Sequence, residues 1–182
     1  GCSKFVNSGT LEETYAEALI SDGAPYSSAQ GNYAIAKLAC RDMCAMVAYL
    51  EKIDYIHTRL SVPLSPDLST SGFIANTLNK IRNNENYEPA ENNQLYDVIS
   101  SNDVADAYHL IGLHGKNKAD YFIGSGTPTK LNDYFTNFRR ANLGIPIVEK
   151  TYSPSDNLSF FSTELLNADT GFVAKTNKFN LT

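Results

Sequence analysis

From Gly31 to about Ile53 apolar residues recur at Ile35, Leu38, Ala39, Met43, Met46, Val47 and Leu50. This is the three-and-four spacing of one helix face. At Asp54 the texture changes. Asp54-Tyr55-Ile56-His57-Thr58-Arg59-Leu60-Ser61-Val62 is rich in β-branched and aromatic residues and stops at Pro63 and Pro66, as a strand does. Upstream, Ser3-Lys4-Phe5-Val6-Asn7 reads as a short strand entering Ser8-Gly9-Thr10. Two strands separated by a long helix cannot form a hairpin. They require a crossover, and so a parallel α/β sheet with the apolar helix face buried.

The chain continues in the same alternating manner. Leu11 to Ser28 is a connection with room for a short helix from Glu12 to Leu19, and Asp22-Gly23-Ala24-Pro25 marks a turn. Ser69-Thr70-Ser71 can cap a helix from Phe73 to Arg82, with Ile74, Leu78 and Ile81 on one face. A polar, asparagine-rich loop runs from Asn83 to Asn93. Leu95–Ser100 and Ala119–Gly124 read as strands, Val104–Leu113 and Leu131–Ala141 as helices. Pro146-Ile147-Val148 reads as a short strand and Phe160–Leu166 as a short helix.

Composition narrows the functions. The 182 residues suffice for one domain with a real core. A net charge of −5, spread without blocks, points away from nucleic acid and anionic membrane surfaces. No apolar run approaches the roughly 20 residues of a membrane span, and the N-terminus lacks the layout of a signal peptide. Cys2, Cys40 and Cys44 are too few, and odd in number, for a disulfide framework. They fit a reducing, cytoplasmic setting. Cys40 and Cys44 share a helix face, but nothing nearby completes four ligands. Buried thiols are expected there, and no metal.

Within the long helix, Tyr33 and Lys37 lie one turn apart, side by side. A free phenol titrates near pH 10 and is a poor acid or base at neutrality. A neighbouring ammonium favours the phenolate, so the pair can serve proton transfer. By spacing alone, a chance pair of common residues is the stronger reading.

Several stretches, in this order, resemble the extended short-chain dehydrogenases/reductases, specifically the NAD-dependent epimerase/dehydratase family. Phe5-Val6-Asn7-Ser8-Gly9-Thr10 resembles the strand that delivers a catalytic Ser or Thr. Pro25 through Lys37 resembles the Pro…Tyr-x-x-x-Lys stretch, and Arg59-Leu60-Ser61-Val62-Pro63 with Pro66 the strand and loop beside the nicotinamide. Tyr96-Asp97-Val98-Ile99-Ser100-Ser101-Asn102-Asp103-Val104-Ala105 is similar to a segment usually read Arg-Asp-Phe-x-x-Val-Asp-Asp-Val-Ala. Tyr121-Phe122-Ile123-Gly124-Ser125-Gly126 resembles the strand that returns to the sheet. The likeness runs from about residue 3 to about residue 175.

The resemblance implies a partial Rossmann-like parallel sheet with an interleaved, smaller α/β substrate lobe. Roughly residues 1–66 would belong to the cofactor half and roughly 67–182 to the substrate lobe, with about 118–125 returning to the sheet. It implies NAD or NADP as cofactor, a nucleotide-sugar substrate, a homodimer of the full-length protein, and hydride transfer with Tyr33 as acid/base. Lys37 would support Tyr33 and bind the nicotinamide ribose. Thr10 would donate a hydrogen bond to the reacting oxygen, where the plainer reading is a hydroxyl closing a turn. Ser8 is a second candidate hydroxyl. Ser61 would meet the nicotinamide, or is an ordinary strand residue.

There are departures. Val62 stands where many relatives carry a sugar-binding Asn, and Tyr96 where they carry an Arg. The family's Gly-x-x-Gly-x-x-Gly turn does not occur in these residues, so the chain resembles the C-terminal half or more of such a protein. A reductase of a non-sugar carbonyl and a non-catalytic module that kept the fold are the alternatives. Asp103 and Asp106 are expected as a helix cap and a first-turn acid, and Asp97 as structural or substrate-facing. His57, His109 and His114 pair with no recognisable carboxylate.

Overall fold

The computed structural model describes residues 1–23, 29–91, 94–152 and 158–181. Ala24 and Pro25 of the expected turn, with Pro25 of the resembling stretch, lie outside them, as do Asn92 and Asn93. The chain divides into two compact units. One comprises Gly1–Ser61, Asp106–Ile123 and Ser162–Phe172, the other Val62–Ala105, Gly124–Phe161 and Val173–Thr182.

The first unit holds the crossover. Strand β1 (Lys4–Thr10) leads through helix α1 (Glu12–Ser21) and the long helix α2 (Ala29–Leu50) into strand β2 (Asp54–Leu60). β1 and β2 pair in parallel with Asn7 opposite His57 and Thr10 opposite Leu60. On the far side of β2 lies another parallel strand, Asp120–Ile123, giving one sheet with β2 in the middle. Salt bridges tie helices to sheet. Arg59 on β2 grips Asp120 at 2.8 Å and Glu17 of α1 at 2.6 Å, and Arg41 of α2 also holds Glu17 at 2.6 Å. Burial works against charge on Glu17, but the two guanidinium groups outweigh it and hold its carboxyl below the usual range.

The apolar stripe of α2 does not behave as expected. Leu38 is buried with Ala16 and Ala34. Ile35, Met43, Met46, Val47 and Leu50 are exposed, Leu50 by 67%. The buried face is instead lined by small residues, Ala34 and Ala48, with Leu38 between them. Small side chains let the helix approach the sheet closely and leave the larger ones pointing outward.

The second unit closes its core. β3 (Val62–Leu64) pairs in parallel with β5 (Val98–Ser100), and β4 (Leu95–Tyr96) pairs antiparallel with the short strand Thr129–Lys130. Helix α3 (Phe73–Arg82) packs Leu78 and Ile81 into the core against Phe135 and Phe138 of a helix spanning Leu131–Asn142. Helix α4 (Ser101–His114) precedes the strand Asp120–Ile123, now β6; Thr129–Lys130 is β7, and Leu131–Asn142 is α5. The tail forms a 3-10 turn, Leu158–Phe161, and a separate helix α6 (Glu164–Thr170) ended by Gly171 in the left-handed region (φ 73°). They replace the single short helix expected there.

Two local expectations are overturned here. No hydroxyl of Ser69-Thr70-Ser71 caps α3. Its N-cap is Gly72, with no side-chain cap bond, because Ser69 and Thr70 face the Ser65 hydroxyl instead. Residues 146–148 form no strand. Asn137 donates its amide to the Val148 carbonyl at 2.8 Å and accepts the Val148 N–H at 2.9 Å. One side chain thus satisfies both groups that a neighbouring strand would have paired.

Candidate active site

The crossover brings the end of β1 against the start of α2. Tyr33 is half exposed, and the Lys37 ammonium lies 5.9 Å from its ring centroid, within cation–π range. One Lys37 N–H donates to the Ser8 carbonyl at 3.0 Å. The ammonium is therefore anchored to β1, two residues before Thr10, with donor capacity left for a further partner.

The hydroxyls of Ser8 and Thr10 can be told apart. Thr58 donates its hydroxyl to the Asn7 carbonyl at 3.0 Å. It can then only accept from Tyr108, 3.0 Å away. Tyr108 has one proton, so the 2.7 Å contact between Ser8 and Tyr108 must be a donation from Ser8. The Ser8 proton is thereby committed. The Thr10 hydroxyl accepts the Glu12 N–H at 3.4 Å, a contact that leaves its own proton for another partner.

Glu13 and His57 were not legible as a pair. Glu13 is fully buried; its Oε1 accepts the Thr10 N–H at 2.9 Å and its Oε2 lies 2.7 Å from His57 Nε2. The expectation that His57 lacks a carboxylate partner is therefore corrected. The partners are 44 residues apart, and the parallel register that joins them is a property of the sheet. The available signal was Gly9. A Cβ there would overlap Glu13 Oε1 and the His57 ring, so a side chain at this position would displace the pair.

The remaining candidates are placed as follows. Ser61 is buried and donates its N–H to the Ile123 carbonyl at 2.9 Å. Val62 and Tyr96 belong to the second unit, where both pack against its apolar core. The Tyr96 hydroxyl accepts the Gln94 amide at 2.7 Å. Asp97 lies in the second unit. It is fully buried and accepts the Ser125 hydroxyl and, at 2.8 Å, the Gly126 N–H. Burial pushes its carboxyl up to about 6, against the opposing pull of these bonds and of Lys178. Asp103 does not cap α4. Its two oxygens take the N–H groups of Lys175 and Thr176 at 3.1 and 3.0 Å, pinning the C-terminal segment. Cys40 is exposed and Cys44 half-buried, their sulfurs 3.9 Å apart, so the expectation of buried thiols fails with that of a buried α2 face.

The residues present suit the nicotinamide-ribose end of a dinucleotide. Among the described residues, Lys37 donates to the Ser8 carbonyl, beside a half-exposed phenol. The Gly-rich turn that would cradle the diphosphate at a helix N-terminus is not contained in the sequence.

Solved structures of known proteins share this fold. RMD from Pseudomonas aeruginosa, solved with NADPH, matches 100% of the chain at 19% identity and a TM-score of 0.71; the chain covers 65% of it. A UDP-glucose 4-epimerase from Thermotoga maritima, solved with UDP-glucose, matches 100% at 21% identity and a TM-score of 0.73, with 62% of it covered. WbmF of Bordetella bronchiseptica, solved with NADH, matches 97% at 19% identity and a TM-score of 0.69, with 55% covered. The chain thus spans less than two-thirds of the length of these proteins. No curated protein matches the sequence. A family model described as the NAD dependent epimerase/dehydratase family matches residues 1–124. With β1, α2 and β2 all inside that match, the chain belongs to the NAD-dependent epimerase/dehydratase family.

Proposed function

We propose that this chain supplies the proton-transfer part of an NAD(P)-dependent epimerase, dehydratase or reductase acting on a nucleotide sugar. The observation that carries the reading is the Tyr33–Lys37 pair, with Lys37 docked on the Ser8 carbonyl next to Thr10. The family supports the cofactor. The UDP-glucose and UDP bound to two of the similar structures support the substrate class.

When bound, the dinucleotide accepts or returns a hydride. The chain's own residues handle the proton. Tyr33 takes the proton of the reacting hydroxyl, or returns it. The Lys37 charge, 5.9 Å from the phenol ring centroid, favours negative charge developing on the phenol oxygen, and its remaining N–H groups bind the nicotinamide ribose. Thr10, whose proton is left for another partner, donates to the reacting oxygen. Ser61 borders the nicotinamide, and Val62 and Tyr96 face the substrate side. In this reading residues 1–66, with about 118–125 returning to the sheet, serve the cofactor and the rest of 67–182 the substrate, in a cytoplasmic homodimer of the full-length protein.

A second reading, a reductase of a non-sugar carbonyl, is favoured by Val62 and Tyr96. An aliphatic side chain and a phenol engaged with Gln94 offer a phosphate no cation at those two positions. A panel of nucleotide sugars and small ketones separates the two readings. In either, Tyr33→Phe is expected to keep dinucleotide binding and lower turnover by about 10²-fold or more. Unchanged turnover would remove Tyr33 from the chemistry.

A further inference from the structure

The Glu13–His57 pair has a second layer of contacts that fixes where its protons lie. Asn7 Nδ2 stands 3.1 Å from His57 Nδ1 and 3.3 Å from the Tyr55 hydroxyl. Tyr55 donates its one proton to the Arg41 carbonyl of α2 at 3.0 Å. It can therefore only accept from Asn7. The Asn7 amide must turn its NH₂ toward Tyr55 and His57, because its oxygen would meet only lone pairs at Tyr55. His57 Nδ1 then accepts, and the ring carries its proton on Nε2, aimed at Glu13. One carboxylate oxygen receives that proton and the other receives the Thr10 N–H.

The Thr10 N–H needs such a partner. The next residue, Leu11, donates its N–H to Leu60 of β2 at 3.0 Å. Along a strand successive N–H groups point to opposite sides, so the Thr10 N–H points away from β2. No strand among the described residues pairs there. Glu13 meets it from the first turn of α1. Gly9, just before Thr10, has no side chain to displace either partner.

We propose that the buried Glu13–His57 pair is a positioning device: it fixes the Ser8–Thr10 backbone, and so holds the Thr10 hydroxyl and the Ser8 carbonyl that anchors Lys37. Neither Glu13 nor His57 touches the reacting atoms. The chain of bonds runs from the end of β1 through α1 and β2 to the Arg41 carbonyl on the helix that carries Tyr33. The catalytic part of this assignment rests on the proposed roles of Thr10 and Lys37. The geometric part does not.

Two measurements on the full chain test it separately. By NMR, His57 is expected to show the proton on Nε2, and the Thr10 amide to exchange slowly. Glu13→Ala should speed Thr10 exchange selectively, and Glu13→Gln, which keeps an oxygen for that N–H, should largely restore protection. A His57 ring protonated on Nδ1, or a Thr10 amide indifferent to Glu13→Ala, overturns the pair as a clamp whatever the enzyme does. By steady-state kinetics in a form that turns over, Glu13→Ala should lower kcat by about 10²-fold with the dinucleotide KM nearly unchanged, and Glu13→Gln should recover part of it. An unchanged kcat, or a loss confined to thermal stability and not rescued by Gln, overturns the positioning role. If the wild type has no turnover while the NMR results hold, the functional reading fails and the clamp survives as a structural one.

Discussion

Helices α2 and α5 carry similar apolar periodicity and meet opposite fates. In α5, Leu131, Tyr134, Phe135 and Phe138 recur at three-and-four spacing and all are buried within the second unit's own core. In α2, Met43, Met46, Val47 and Leu50 keep the same rhythm, yet all are exposed. Periodicity specifies that a helix has an apolar face. It does not say that the same chain covers that face. The seam that α2 does bury is built from Ala34, Leu38 and Ala48, which a hydrophobicity pattern hardly registers.

The contrast can be pressed from the buried side first. Phe135→Ala removes a ring with no exposed surface that stacks edge-on with Phe73 and Tyr87. It should cost about 3–5 kcal/mol in denaturant unfolding. A loss below roughly 1 kcal/mol would show that the second unit's core is not closed.

Asp97 gives a pH-dependent test of the same core. Its carboxyl titrates at about 6 in the folded chain against 3.8 unfolded, because burial disfavours its charge. The folded state therefore binds the proton more tightly. The associated stability is complete below about pH 4 and is lost as pH rises through about 6, a change of roughly 3 kcal/mol. Asp97→Asn should flatten that part of the profile measured by unfolding at stepped pH. A parallel pH dependence in wild type and variant would contradict the burial of this group.

The smallest effect belongs to the open side. Met46→Ala on α2 should change unfolding stability by less than about 0.5 kcal/mol at high dilution. The exposed stripe should instead promote self-association, so sedimentation should depend on concentration and Val47→Lys should weaken that dependence. A dilution-resistant monomer would argue that the stripe has no partner.

The sequence made the crossover legible because each piece reports itself locally. β2 is β-branched and aromatic, although it stops at Leu60 and Pro63 falls within β3, and the apolar positions of α2 recur from Ile35 to Leu50, about four turns of helix. Tyr33 and Lys37 were visible for the same reason, lying within one turn. What escaped was non-local. Glu13 meets His57 only through the parallel register of β1 and β2. Asn137 takes over the hydrogen bonds that would have made 146–148 a strand, and Asp103 turns from the helix start to hold the backbone at 175–176. Each of these depends on a side chain reaching a distant backbone or ring, which no periodicity records. The Gly-rich stretch that would complete a dinucleotide site is likewise not among these residues. The cofactor rests instead on the family match over residues 1–124.

The most direct test of the central claim is NAD(P)H binding by fluorescence titration, on this chain and on a form extended N-terminally by a Gly-x-x-Gly-x-x-Gly half. The account predicts saturable binding by the extended form, retained in Tyr33→Phe and weakened in Lys37→Met. An extended form that folds yet binds no dinucleotide would contradict it and leave a non-catalytic module as the reading of this fold.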